Sequence, residues 1–328
     1  ASVAASETAA ARSRLWVFCE AAYSPAPMLI AEPVTERLRQ LELTQFKDAV
    51  IVVQVQGETQ PDWSLRIDLT PPAEMLAEWS RWGDEAAIMR LLNQTLAAQA
   101  VQITVERKDS TLHLVVTGQS PQQPVPDEEI ITAAITETLE KLAPQGLQRA
   151  MVYGQPPAAL TPTWVKCINL PALEHEALAT TPQTLAQQRD WPALRFILTR
   201  LLNPDLDVQL ATGGLRVKLL ERSDLLHIMV DGPVCPQRKQ VVPTVIKQLK
   251  AIAPNRIEGL RIYGRRAGQS RPAWNYGTDF QTRSRLIPEA EAQFAATDAY
   301  VGDLLTQPET ETHAPDLTPG IIGQWLRD

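Results

Sequence analysis

Short apolar stretches alternate with polar, proline-rich stretches along the chain. Two of the apolar stretches, residues 101–106 and 215–220, are each followed by a charged turn and then by a second apolar run. The turns, residues 106–109 and 221–224, share a Glu-Arg-x-Asp sequence. Because charged, flexible residues join two apolar runs in both places, the pattern predicts two β-hairpins.

Helical periodicity follows each hairpin. Segments with apolar residues three and four positions apart occupy residues 128–142 and 239–252, and a similar segment occupies residues 32–43. Two further segments, residues 86–98 and 193–202, precede the hairpins. The segment 128–142 has one apolar face, formed by Ile131, Ile135, Leu139 and Leu142. Spacing of this kind predicts amphipathic helices.

A Pro-x-Trp sequence occurs three times and marks the same place in three copies of one unit. The tryptophans are Trp63, Trp164 and Trp274, which lie 101 and 110 residues apart. The glycines taken as equivalent between the units are Gly57, Gly154 and Gly264. An upstream strand opens on a leucine 48, 52 and 48 residues before the tryptophan. This near-constant offset predicts tandem repeats.

The repeat predicts an α/β (α+β) fold class, with units of helix, strand, strand, helix, strand and strand. Each small sheet is expected to be covered by two helices. The predicted organisation is a flexible N-terminal segment (1–14), a partial first unit (15–70), a second unit (71–172), a linker (173–189), a basic third unit (190–286) and a helical or extended C-terminal tail (287–328).

Composition excludes several classes of protein. The 328 residues are 44% hydrophobic and 21% charged, which is typical of globular chains. The sequence contains no run of 18 apolar residues, so it predicts no membrane-spanning helix. The three cysteines and four histidines form no CxxC, HxxxH or HExxH motif, and no glycine-rich phosphate loop is present. We therefore expect neither a metal nor a cofactor.

Two families resemble the repeat. The helix–strand–strand–helix–strand order, with Gly118 and Gly232 after the hairpins, resembles the BON-type domain over about 70 residues per unit. That resemblance implies lipid or ligand binding at bacterial envelopes. The extra strand after each Pro-x-Trp departs from the BON pattern.

Several short motifs resemble cyanobacterial multi-repeat proteins of unknown function (domain-of-unknown-function family 1574). The motifs are residues 15–20 (LWVFCE), residues 235–238 (CPQR), the Tyr-Gly pairs at 153–154 and 263–264, and the three Pro-x-Trp sequences. The resemblance covers residues 15–285. It implies a cyanobacterial origin and supplies no catalytic residues.

The repeat also bears on the candidate catalytic residues. His113 and His227 occupy equivalent strand positions, and Trp16 holds that position in the first unit. Because tryptophan and histidine share the position, a large side chain on a strand face is the favoured interpretation, over catalysis or metal binding. The Pro-x-Trp tryptophans are likewise interpreted as packing over their own sheets, with an aromatic ligand platform as the alternative.

Charge distinguishes one unit from the others. Residues 190–285 contain 16 Lys or Arg against 8 Asp or Glu, whereas the rest of the chain contains 15 against 30. Within this basic stretch, the predicted site for an anionic partner consists of Arg238, Lys239, Arg265, Arg266 and Arg271. The alternative is a solvated face that pairs with the acidic units.

These observations predict a non-catalytic scaffold or adaptor that binds protein partners through its repeats. The first alternative is a membrane-surface or lipid-binding module that recognises anionic headgroups. The second is nucleic-acid binding through the third unit, which the net charge of −7 disfavours. The expected location is the cytoplasm, either free or at the periphery of a membrane.

Overall fold

A computed structural model describes residues 13–43, 45–120, 127–157, 159, 161–222, 224–269 and 271–280. Residues 1–12, most of the predicted N-terminal segment, and the predicted tail 287–328 lie outside the described residues. The described chain forms three small sheets with helices beside them, so the predicted α+β class is confirmed.

The first sheet has three described strands. Its elements are β1 (Ser13–Ala21), α1 (Pro27–Gln40), β2 (Phe46–Val55) and β3 (Trp63–Asp68). Strand β2 lies in the centre, parallel to β1 and antiparallel to β3. The parallel pair requires a crossover connection, and α1 provides it.

The second sheet follows a pair of helices. The elements are α2 (Pro72–Arg81), α3 (Glu85–Thr95), β4 (Val101–Lys108), β5 (Thr111–Gly118), α4 (Glu128–Leu142), β6 (Arg149–Gln155) and β7 (Trp164–Asn169). The strand order is β4-β5-β6-β7. The predicted hairpin is confirmed as β4–β5, whereas α2 was not predicted.

The third sheet repeats this arrangement. The elements are α5 (Glu176–Ala179), α6 (Pro182–Gln187), α7 (Trp191–Leu202), α8 (Leu206–Thr212), β8 (Arg216–Arg222), β9 (Leu225–Gly232), α9 (Arg238–Ile252), β10 (Gly259–Arg266) and β11 (Trp274–Asp279). The strand order is β8-β9-β10-β11. Two short helices, α5 and α6, lie within the predicted linker at 173–189.

Backbone hydrogen bonds show which residues of the repeats are equivalent. In each unit the residue before the tryptophan donates its N–H, over 2.7–2.8 Å, to a carbonyl of the neighbouring strand. The acceptors are Val53, Gly154 and Gly264. They are also the strand partners of Trp63, Trp164 and Trp274. The alignment of Gly57 with Gly154 and Gly264 is therefore wrong. Gly57 is a turn residue with φ +86°.

The tryptophans anchor two of the repeats to the loop before the crossover helix. The Trp63 indole N–H donates to the carbonyl of Pro25 (3.0 Å), and the Trp274 indole N–H donates to that of Pro236 (2.7 Å). Donor and acceptor are 38 residues apart in both cases. This bond ties the last strand of a unit to the start of its crossover helix, which supports the architectural interpretation.

Helices cover one face of each sheet, called here the helix face. On the second sheet, α3 and α4 contribute Ile88, Leu92, Ile131 and Ile135 to a core with Leu112, Leu114 and Val152. The prediction that two helices cover each sheet is thus confirmed for this sheet. In the described core of the first sheet, the helical residues come from α1.

The division by contacts differs from the division by repeats. Among the described residues, one compact unit takes those of 13–70, 207–247 and 256–280, and so contains the first and third sheets. The other takes those of 71–206 and 248–255, and contains the second sheet with α2, α3, α4, α5, α6 and α7. In this second unit the Trp82 and Phe196 rings stack at 5.6 Å, and Arg200 pairs with Asp84 at 2.8 Å.

We predict that Gly154→Ala destabilises the protein by about 1–3 kcal/mol, because a Cβ there would overlap the Trp164 ring and force repacking. The control is the same glycine change in a Trp164→Leu background, which removes the ring that the Cβ would meet. Urea unfolding measures the change in both backgrounds, and the loss should be smaller without the tryptophan. Equal losses in the two backgrounds would show that the tryptophan contact is unimportant.

Candidate functional site

The face of each sheet that points away from its helices, called here the outer face, differs between the two compact units. In the first compact unit the outer faces are covered. Val50 and Val52 of the first sheet are buried, and so are His227, Met229 and Tyr263 of the third. The helix-covered neighbours Ala49, Ile51, Leu226 and Ile228 are buried as well. The central strands of both sheets are therefore buried on two faces.

Contacts from β3 indicate what covers these outer faces. The Ser64 hydroxyl donates to the carbonyl of Gly268 (3.1 Å), beyond the end of β10. The Asp68 side chain abuts Gly213, before the start of β8. Both side chains project from the outer face of β3. The first and third sheets therefore stack through their outer faces, as sheets do in layered folds.

Charged residues in this stack are paired. The Asp231 carboxylate accepts from Arg216 (2.8 Å) and Arg265 (2.9 Å), and the Arg261 guanidinium lies 3.0 Å from Asp279. On the first sheet, Asp48 accepts from Arg14 and Arg66. Burial would raise the pKa of Asp48, but the two guanidinium groups outweigh it and hold the pKa below its usual value.

The two predicted equivalent histidines make the same contact in two different environments. His113 Nδ1 lies 2.8 Å from the Tyr153 hydroxyl, and His227 Nδ1 lies 3.0 Å from the Tyr263 hydroxyl. The rings stack nearly parallel in both pairs. The first pair is half-buried on the second sheet, whereas the second pair is buried on the third. The buried pair is closed to any substrate, and the same contact in the half-buried pair supports a structural role for both.

Burial dominates the protonation of His227. Burial, together with the nearby positive charges of Arg261 and Arg222, lowers the pKa of the imidazole to about 4. His227 is therefore neutral at pH 7, and it packs as an aromatic ring. In the first sheet, Trp16 and Val52 occupy the positions of the pair, so a hydrogen-bonded pair is not required for the fold of the unit.

The predicted anion-binding residues differ in their exposure. Arg265 is only 6% exposed and pairs with Asp231, so its assignment to a surface site is wrong: its charge is used inside the stack. Arg266 is half-buried, with its guanidinium 5.9 Å from the centre of the Trp63 ring. Arg238, Lys239 and Arg271 are exposed.

The start of α9 differs in charge from the start of its counterpart α4. Helix α4 opens with Glu128 and Glu129, after an Asp127 cap that accepts from the N–H of Ile130. Helix α9, of the same length, opens with Arg238 and Lys239 and has no acidic residue in its first turn. Arg238 also lies 5.4 Å from the centre of the Tyr276 ring.

The second sheet has an outer face that sequence reasoning missed. Val165 is 48% exposed and Cys167 is exposed, while Val115, Met151 and Tyr153 are half-buried. Alternation in residues 164–169 indicates two faces for β7. It does not indicate that this sheet, unlike the other two, leaves its outer face to solvent.

No protein-family model, no curated protein and no solved structure matches the chain. The resemblances to BON-type domains and to the cyanobacterial repeat family thus stay predictions. Within the described ranges, no three His, Cys, Asp or Glu side chains are grouped so as to hold a metal ion. No helix of the described chain is both long and apolar enough to cross a bilayer.

We predict that His227 makes stability depend on pH between about 6.5 and 4. Over this window the unfolded chain binds a proton that the folded chain excludes, so the free energy of unfolding falls with falling pH, by about 3 kcal/mol in all. His227→Gln should lose this component in urea titrations at a series of pH values. His113→Gln, the same change at the equivalent site, should keep it. Wild-type slopes in both variants would refute the assignment.

Proposed function

We propose that this protein is a non-catalytic adaptor that binds an anionic protein partner at the start of α9. The observation that carries the proposal is the reversed charge at this helix start. Arg238 and Lys239 stand where the equivalent helix α4 has Glu128 and Glu129.

Cations at this position are electrostatically unfavourable in the isolated chain. The N-terminus of a helix carries roughly half a positive charge, so a lysine or arginine there costs a few tenths of a kcal/mol to about 1 kcal/mol. A carboxylate or phosphate from a partner would relieve this repulsion and accept charge-assisted hydrogen bonds from both side chains. Their exposure leaves them accessible to such a group.

Neighbouring contacts support a preformed site. The Trp274–Pro236 bond fixes the loop immediately before α9, and Tyr276 restrains the Arg238 guanidinium. Arg271, three residues before Trp274, adds a third exposed charge on the segment that this tryptophan anchors. Restrained side chains lose less entropy on binding than mobile ones.

A non-catalytic role accords with the candidate residues. The histidines are paired with tyrosines, and one pair is buried within the stack of sheets. In the stack of sheets, arginine and aspartate side chains neutralise one another in ion pairs. We propose a cytoplasmic location for this adaptor, either free or at the periphery of a membrane.

A membrane-surface module is the second candidate function, because the same exposed cations would attract anionic headgroups. Nucleic acid is a weaker candidate, because the net charge of the chain is −7. Sedimentation with phosphatidylserine vesicles at low and high salt distinguishes the membrane from a protein partner.

We predict that Arg238→Glu/Lys239→Glu reduces capture of partners from an extract of the native cell at least tenfold, as measured by quantitative mass spectrometry. The control is Lys247→Glu/Lys250→Glu, which makes the same change in charge at exposed positions of the same helix. Capture should also weaken with salt. Equal capture by both variants and the wild type would refute the site, and vesicle binding without protein capture would favour the membrane alternative.

A further inference from the structure

The outer face of the second sheet is the exception among three equivalent faces. Its central row, across the four strands, is Thr104, Val115, Tyr153 and Val165. The next row is Glu106, His113, Met151 and Cys167. Val165 and Cys167 are exposed, whereas the corresponding faces of the first and third sheets are buried.

The fold itself shows what kind of surface covers such a face. In the first compact unit, the outer face of one sheet lies against the outer face of another copy of the same repeat. Of the three sheets in the described chain, the first and third cover each other, and the second has no described partner sheet in its own compact unit. A second chain would supply one.

Availability determines which sheet of the second chain fits. The outer faces of the first and third sheets, with Asp48, Asp231 and the arginines that neutralise them, already cover each other within the first compact unit. The two central rows of the second sheet hold one charged residue, Glu106 on β4, and the next row adds Lys108 and Arg149. Among the described sheets, the outer face that a second chain leaves open is therefore that of its own second sheet.

We propose that the protein forms a symmetric dimer in which the outer faces of two second sheets pack together. A contact of one patch with the same patch of a second copy closes on itself and gives a dimer, not a filament. Both partners bring Val115, Met151, Tyr153 and Val165 to the contact. The dimer would present two α9 sites, although it does not depend on them.

The size of the face sets the expected affinity. Four strands about 4.8 Å apart, each with about seven residues at 3.3 Å, give roughly 440 Å² in projection per chain. Two such faces give about 880 Å² in projection, which is the size of a weak or transient contact and not of a stable one. The dimer should therefore dissociate on dilution, with a Kd in the micromolar range, roughly 1–100 µM.

Sedimentation velocity of the full chain from about 1 to 200 µM, a range set by that Kd, tests the dimer. The wild type should shift from the mass of one chain to that of two. Val165→Glu should weaken association at least tenfold, because it would bury an unpaired charge in the contact. Ile130→Glu is the matched control, since Ile130 is 52% exposed on α4, away from this face. Thr104→Glu, on β4 of the same row, serves if Val165→Glu fails to fold.

Labelling of cysteines by a maleimide gives an independent reading. Cys167 lies on the proposed contact, whereas Cys19 and Cys235 are partly buried elsewhere. The labelling rate of Cys167 should fall as the chain concentration rises, and the rates of the other two should not.

A wild type that stays monomeric at 200 µM, or an equal effect of Val165→Glu and Ile130→Glu, would overturn the dimer. Neither result bears on the α9 site, which is tested by capture through Arg238 and Lys239.

Discussion

A small β-sheet has two faces, and the helices of its own repeat cover only one of them. In this protein the second face must be buried by something other than those helices, and the solution in the first compact unit is another sheet of the same kind. Burial of His227, Tyr263 and Arg261 at 1% exposure or less follows from that stacking. So does the pairing of the arginines there, because an unpaired guanidinium away from water is costly.

The repeat keeps its backbone and changes its outer face. Hydrogen bonds from Asp62, Thr163 and Ala273 to the neighbouring strand recur in all three units. The anchoring bond from the tryptophan to a proline carbonyl 38 residues earlier recurs in the first and third. At the outer positions, by contrast, the residues differ. The register makes Val50, Met151 and Arg261 equivalent, yet the first two are apolar and the third is charged. Function in such an array is expected where copies differ, as at the start of α9.

Sequence patterns predicted the elements that repeat locally. Both hairpins, the crossover helices and the architectural tryptophans follow from spacing within a few tens of residues. The alignment of Gly57 failed, because spacing along the chain cannot identify the strand partner of Trp63, whereas the register shows that it is Val53. The short helix α6 escaped prediction because six residues are too few to show a period.

The exposure of the residues in the proposed site was predicted in part. Arg238, Lys239 and Arg271 are exposed as expected, but Arg265 has a buried carboxylate beside it. Its partner Asp231 is 34 residues away in the sequence. The open face of the second sheet could not be predicted, because its sequence alternates as the covered faces do. Only the pairing of sheets distinguishes them.

Chemical footprinting of the dilute full chain tests the stacking most directly, because the repeat supplies two matched His–Tyr pairs. Diethyl pyrocarbonate reports on the histidines and tetranitromethane on the tyrosines, with each site quantified by peptide mass spectrometry. The account predicts modification of His113 and Tyr153, and protection of His227 and Tyr263 until the protein unfolds. Equal modification of the two pairs in the native chain would contradict it.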